Sequence, residues 1–513
     1  MMKINKLLLA AIVCGSLNSA LGQESKVEDA ASRHGSLPLR LVVNITVDQL
    51  RSDFLDAFSQ WYTDGGFNRL MSEGTVYGSA SYPFAPVDRA SAIATVATGV
   101  SPYYNGIVGQ RWLQRETLRP VWCVDDERYI GLQTKETASP EALGSSTLGD
   151  ELKVVTKGQA LVWAVAPYSD AAILSAGHAA DGALWIDDER GVWCSSQYYM
   201  QAMPGWVTDS PIQINGNDGQ AQKKSSKKKE QRYKAFKNSA EVNTEVTSMA
   251  LQCLSATGMG MDDVPDLLCV TYYAGVAEMT ENYMIQNSYV RLDAEIGRLV
   301  EMVEKSVGRD HVLFVLTSTG YSEPSDNKSN GAEADYQKYR IPTGTFYMSR
   351  TADLLNMYLG AIWGPGKYVE TTFRNHIFLS HSLLDAKKIS MSEATGRAQE
   401  LLVMMQGVRN VYTSLQLLTI SNEQIQLVRS GYHPERCGDL VVETAPGWRV
   451  LTENTGESEY LRASFFQFPI IFYGANVGAM RVSQHVTTDR IAPTLARILR
   501  VRAPNACSAE PLF

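Results

Sequence analysis

The chain is poor in the residues that hold soft metals. Seven histidines and seven cysteines are spread over 513 residues. The cysteines are widely spaced and none form a C-x-x-C, which excludes a zinc–thiolate cluster. There is no surplus of positive charge either. Lys and Arg total 47 against 55 Asp and Glu, a formal net charge of −8, which argues against a nucleic-acid partner. Beyond the N-terminal leader no stretch reaches ~18 consecutive apolar residues, so no transmembrane helix is expected in the mature chain. Hydrophobic content of 44% and charged content of 20% are ordinary for a globular chain. The length allows one large domain with insertions, or two to three smaller ones.

What is present begins with a leader. Lys3 and Lys6 precede an apolar run from Leu7 to Val13, and Ala20-Leu21-Gly22 supplies small residues before Gln23. This pattern predicts a signal peptide, residues 1–22, cleaved after Gly22, and export to the periplasm or cell envelope. Cys14 is disfavoured as a lipid site because Val13 before it is too large. Cys123, Cys194, Cys253, Cys269, Cys437 and Cys507 remain, and export permits disulfides, whose pairing the spacing does not reveal. Residues 23–38 read as a loose polar arm.

Leu41 to Val47 is a near-continuous apolar run ending at Asp48, as expected of a central strand in a parallel sheet. Further strands are expected at 75–80, 161–166, 171–174, 266–273, 312–317 and 468–474. Helices are expected at 67–72, 287–307, 392–406 and 489–499. Alternating strands and helices predict an α/β fold, with a central mostly parallel sheet and helices on both faces. Two stretches, about 103–258 and 325–445, read as inserted cap regions. Within the first, the Lys-rich run around Lys223 to Lys229 is expected as a solvated, disordered loop over about 216–232, in preference to a basic docking patch.

The stretch from Ala85 to Trp112 carries the most information. It reads as a loop, an Ala-rich helix over roughly 90–97, and a T-G-V-S-P turn. A strand ending in Asp, followed by a helix N-terminus, is the frame of an anion site. Ligands of such sheets lie at the carboxyl ends of the strands, so Asp48, Gly275, Thr319 and the Asp88-Arg89 turn are expected to converge.

These residues resemble the alkaline phosphatase superfamily, and most closely its single-domain phosphate-irrepressible alkaline phosphatases. The resemblance rests on V-D-Q-L-R-S-D at 47–53, A-T-G-V-S-P with N-G-I-V-G at 97–109, and S-A-G-H-A-A-D-G-A-L-W at 175–185. It continues with D-L-L-C-V-T-Y at 266–272, Y-V-R-L-D-A-E-I-G at 289–297 and G-Y-H-P-E-R-C-G-D-L at 431–440. It implies an alkaline-phosphatase-like sandwich with cap insertions. It also implies two zinc ions held by Asp and His, beside a Thr or Ser nucleophile at the helix N-terminus. Two cations about 4 Å apart neutralise the phosphoryl group and activate nucleophile and water.

Carried over residue by residue, the resemblance implies that this equipment is lost. Asp48 matches the first metal ligand. The nucleophile position holds Arg89. Gly275 and Met279 stand for an Asp-x-x-x-His pair, Thr319 and Gly320 for an Asp-His pair, and the last His falls near Ser458. A phosphate-contacting Asn is replaced by Gln110, and a Lys and an Arg by Tyr168 and Asp170. One ligand position in six is kept, and a single carboxylate does not hold zinc. No zinc or other cofactor is therefore expected.

Other placements of the chemistry are weaker. Ser91 is a displaced nucleophile candidate but reads better as a helix cap, and Thr95 lies deeper in the helix. Asp48 with Asp88 offers too few oxygens for Mg²⁺ or Ca²⁺. His178 lies in a turn and reads as structural, and His376 with His381 is a poor metal pair. Arg89 itself is expected to pair with Asp48, or to bind a phosphate- or sulfate-bearing ligand without hydrolysing it. The favoured expectation is a catalytically inactive member working as a binding or structural component of an envelope complex. Its partner is unidentified, and the Trp- and Tyr-rich first insertion is the expected contact surface. The alternative is a phosphomonoesterase or phosphodiesterase with a rebuilt site.

Overall fold

All eight residues of Leu41–Asp48, strand β1, are buried, as an apolar run between two covered faces requires. The computed structural model describes residues 38–513 apart from 213, 215–225, 277–278, 280, 322–339, 420–421, 453–455, 460 and 462–466. Residues 1–37, on which the expected leader with Cys14 and the expected arm with His34 fall, and the first part of the Lys-rich run lie outside the described residues.

The sheet continues with β2 (Thr75–Ser81), β3 (Val162–Val165), β4 (Gly182–Ile186), β5 (Trp193–Ser196), β6 (Asp266–Tyr273), β7 (Val312–Ser318) and β8 (Phe468–Gly474). Their order is β2-β8-β7-β1-β6-β3-β4-β5, in a sheet of eleven strands among the described residues. From β7 to β4 every pairing is parallel. β8 runs antiparallel to both its neighbours, and β5 to β4. Val42 points into one core, while Leu41, Val43, Ile45 and Val47 point into the other. Each face of the sheet is thus covered by its own layer, and the α/β architecture is as expected.

The helices that matter here are α1 (Arg89–Thr98), α2 (Ser169–Ala176), α3 (Ser226–Lys237) and α4 (Asn282–Val307). Two assignments are corrected by α2 and α3. Residues 171–174 were expected as a strand but lie inside α2, where Ala171, Ala172, Ile173 and Leu174 are all buried and the helix packs on Ala-rich α1. From Ser226 the Lys-rich run is helical, where a disordered loop was expected. Its composition favours helix, and the helix is anchored by buried Phe236 and Lys237. Lys237 donates to the Ile186 carbonyl at 3.0 Å and pairs with Asp188. A third correction concerns the first insertion: β3, β4 and β5 extend the central sheet, so this part of 103–258 is core. The helix expected at 287–307 begins earlier, at Asn282. The one expected at 392–406 spans Met391–Leu402.

The second insertion builds a separate four-stranded sheet from Val369–Phe373, His376–Leu379, Leu440–Thr444 and Val408–Thr413. It carries its own core around Tyr368, Ile377, Leu402 and Leu440. No helix among the described residues is long and apolar enough to cross a membrane. All six cysteines of the described chain are free thiols.

His178 shows how a motif residue serves the fold. Its Nδ1 lies 3.0 Å from Asp150 Oδ2 and its Nε2 3.1 Å from the Leu143 carbonyl. Asp150 in turn completes a capping box with Thr147. The bond to Asp150 raises the His178 pKa above its ordinary 6.5. A raised folded pKa stabilises fully below the unfolded value, and that contribution fades as pH rises through the folded one. His178→Gln is therefore expected to lower the denaturant midpoint more at pH 6 than at pH 9, measured by urea titration at both.

Candidate functional site

At the carboxyl ends of β1, β6 and β7 the chain brings together Asp48, Thr319, Gly275 and the N-terminus of α1, the convergence the sequence predicts. α1 starts at Arg89 because Asp88 caps it. Asp88 Oδ1 accepts from the Ser91 N–H at 3.0 Å, and Ser91 Oγ accepts from the Asp88 N–H at 3.0 Å. Ser91 is fully buried and its hydroxyl is also held by the Asp88 carboxylate at 2.8 Å. This is the capping role, and it leaves Ser91 Oγ committed. Thr95 is buried one turn further in.

Arg89 occupies the site. Its Nε lies 3.1 Å from both carboxylate oxygens of Asp170, and its Nη1 lies 3.5 Å from Asp48 Oδ2. The guanidinium plane stacks on the Tyr168 ring at 3.6 Å. Lys237 of α3 packs on the same ring at 4.8 Å. Gln110 donates from Nε2 to Asp170 at 3.1 Å and from its backbone N–H to Asp88 Oδ2 at 2.8 Å. Asp170 opens α2, where a carboxylate is favoured by the helix dipole.

Asp48 is entirely buried. Its Oδ1 accepts from the Thr319 hydroxyl at 2.8 Å, and Thr319 in turn accepts from the Gln49 N–H at 2.9 Å. Burial raises the Asp48 pKa above the carboxylate norm, with Arg89 and Thr319 opposing the shift. Burial works against the Arg89 charge, but Asp170 and Asp48 outweigh it and hold the guanidinium firmly protonated. The site is an ion cluster in which the one guanidinium of Arg89 is shared by two carboxylates, Asp48 and Asp170.

The positions that would hold zinc do not fit it. A Cβ added at Gly275 would come within 2.2 Å of the Tyr273 hydroxyl. At Gly320, φ is +70° and an added Cβ would meet Phe468 at 2.7 Å and Tyr82 at 2.8 Å. Met279 is half-buried against the hydrophobic core. Ser458 is exposed on the short strand Glu457–Glu459. No group of three or more His, Cys, Asp or Glu among the described residues could hold a metal. The carboxylate of Asp88 is engaged by the helix cap, the Gln110 N–H and Arg374. His376 is half-buried and desolvation of its ring pushes its pKa down to about 3, while His381 is held by Asp439 at 3.0 Å.

Two partners escaped sequence reasoning. Asp170 is the stronger partner of Arg89, although Asp48 was the one expected. The available signal was the sequence expectation that Arg89 and Asp170 both stand where the resemblance implies residues of another charge. Arg374 reaches in from the second insertion, 3.6 Å from Asp88, and pairs with Glu459 at 2.8 Å. Nothing in the local pattern marks it.

The profile of the family described as type I phosphodiesterase / nucleotide pyrophosphatase matches residues 42–464. Alkaline phosphatase PhoV of Synechococcus elongatus is 26% identical, covering 97% of this chain and 96% of that protein. Alkaline phosphatase PafA of Elizabethkingia meningoseptica is 24% identical, covering 92% and 94%. The crystal structure of wild-type PafA superposes with a TM-score of 0.79 at 22% identity, over 93% of this chain and 99% of that one, and shows the same fold.

Proposed function

The chain belongs to the type I phosphodiesterase / nucleotide pyrophosphatase family, and from that premise we propose that it is a non-hydrolysing member, acting as a binding or structural component of a cell-envelope complex. The observation that carries this reading is Arg89. It fills the nucleophile position and is bound by Asp48, Asp170 and the Tyr168 ring. Phosphoester cleavage by paired metals needs a hydroxyl nucleophile and three or four ligands per ion. Here the hydroxyl is absent, and Gly275 and Gly320 have no room for a ligand side chain. The relatives named alkaline phosphatases define the activity this chain would have if its site were rebuilt, namely phosphoric-ester hydrolysis.

The same geometry weighs against an anion bound at Arg89, whose guanidinium already carries two carboxylates. The leader pattern of residues 1–22 supports export, and the partner is another envelope protein. Phosphate release from monoester and diester substrates, with and without added zinc, tests the reading. No zinc-dependent release is expected.

A further inference from the structure

A cleft of about 460 Å³ lies outside the degenerate site, where the four-stranded sheet of the second insertion faces the loop that leads into α1. Part of its wall is aliphatic. Leu427 and Val428 come from the helix Glu423–Ser430, Val441 from the sheet, and Leu461 and Pro86 from flanking loops. Its rim carries two carboxylates, Glu423 and Glu443, and one guanidinium, Arg409. Glu443 accepts from the Tyr412 hydroxyl at 2.9 Å and lies 3.3 Å from Arg409. Among the described lining residues the carboxylates therefore outnumber the guanidinium by one.

Chemistry decides among occupants. A phosphate- or sulfate-bearing ligand needs cations in excess, and this rim has the opposite balance. A sugar or nucleobase needs an open aromatic face. The Trp448 ring is enclosed by Gly344 and Gly407, where an added Cβ would come within 2.7 and 2.3 Å of it. Tyr412 is buried with its hydroxyl committed to Glu443. The lining also includes Asn375, only 5% exposed, whose Oδ1 has no hydrogen-bond partner among the described residues. An acceptor in that state calls for an N–H or O–H donor, which the backbone of an extended segment can supply.

We propose that this cleft receives an extended segment of a basic partner protein. An aliphatic side chain of the segment packs against Leu427, Val428 and Val441, and a neighbouring Lys or Arg faces Glu423 and Glu443. A basic partner also complements the net charge of −8 on this chain. The occupant would touch Asn375, next to Arg374, and Pro86, two residues before Asp88, so it lies against the elements that brace the Arg89 cluster. The proposal rests on the reading of the chain as a binding component.

The test is selection of a random-peptide library on the full chain. Affinities of enriched peptides are then compared on Glu423→Lys, an exposed site, and on Val428→Trp, which fills the cleft. The expected result is a consensus pairing an aliphatic residue with Lys or Arg, with binding about tenfold weaker or more on both variants. If Val428→Trp fails to fold, Glu423→Lys decides alone. The proposal is overturned by peptides lacking that pattern, by peptides indifferent to Glu423→Lys, or by no enrichment. It is also overturned if a glycan array or inorganic phosphate binds in place of peptides with sensitivity to Val428→Trp. Phosphoester turnover would refute the non-hydrolysing reading without touching the peptide result, and failed peptide binding would leave the turnover result standing.

Discussion

Arg89→Ala is expected to destabilise the protein by ~3–5 kcal/mol at neutral pH, the cost of removing one member from a buried ion cluster. The variant leaves Asp48 and Asp170 facing one another without a cation, and it strips the stack from Tyr168. It should also make stability pH-dependent. The Asp48 pKa is already raised by burial from its ordinary 3.8, and Arg89 is the main group opposing that shift. Without Arg89 the folded pKa climbs further. Between the unfolded and folded values the native state holds a proton that the unfolded state has released, so stability falls as pH rises through that window. The penalty of Arg89→Ala should therefore be smaller at pH 5 than at pH 8. Urea unfolding at both values checks this. Arg89→Lys should recover only part of the loss, because a point charge cannot serve two carboxylates and an aromatic face together. A penalty below ~1 kcal/mol that does not change with pH would mean the cluster contributes no more than a surface pair.

Restoring the site by substitution is expected to fail. Arg89→Thr returns a hydroxyl to the N-terminus of α1 but brings back no ligand. Gly275→Asp and Gly320→His supply ligand types, yet each side chain enters space already held by the chain's own rings. At Gly320 overpacking costs ~1–3 kcal/mol, and placing a residue with a Cβ in the left-handed region adds about 1–2 kcal/mol. The triple variant should thus be less stable than the parent by several kcal/mol. It should bind no zinc by calorimetry and release no phosphate. Tight binding of two zinc ions would show that the surrounding frame still accepts the metals, and that only the ligands had been exchanged.

Much of the fold was readable from local pattern. β1, β6 and β7 are continuous apolar runs, a signal that survives without tertiary information, and Asp48 ends the first of them. The place of Arg89 at the start of the Ala-rich helix was legible because the T-G-V-S-P turn ends that helix and fixes the spacing back to it. Residues 171–174 were misread because a short run of four apolar residues suits a buried strand and a buried helix equally. The Lys-rich run was misread because its charge suggests a solvated loop, while its helical docking depends on Phe236 and Lys237 meeting distant partners. The extension of the sheet by β3, β4 and β5 was hidden by aromatic-rich connections. At the site, Asp170 lies 81 residues from Arg89, and Arg374 arrives from another insertion. Pairings at that separation are set by topology rather than by local spacing, so only the assembled fold reveals that the carboxylates are held from within.

The most direct measurement of the central claim is phosphate release by the purified protein. Substrates are p-nitrophenyl phosphate and bis-p-nitrophenyl phosphate at alkaline pH, with zinc added or chelated. The Arg89 cluster predicts rates equal to the uncatalysed background in every condition. Zinc-dependent release that Asp48→Ala abolishes would contradict it.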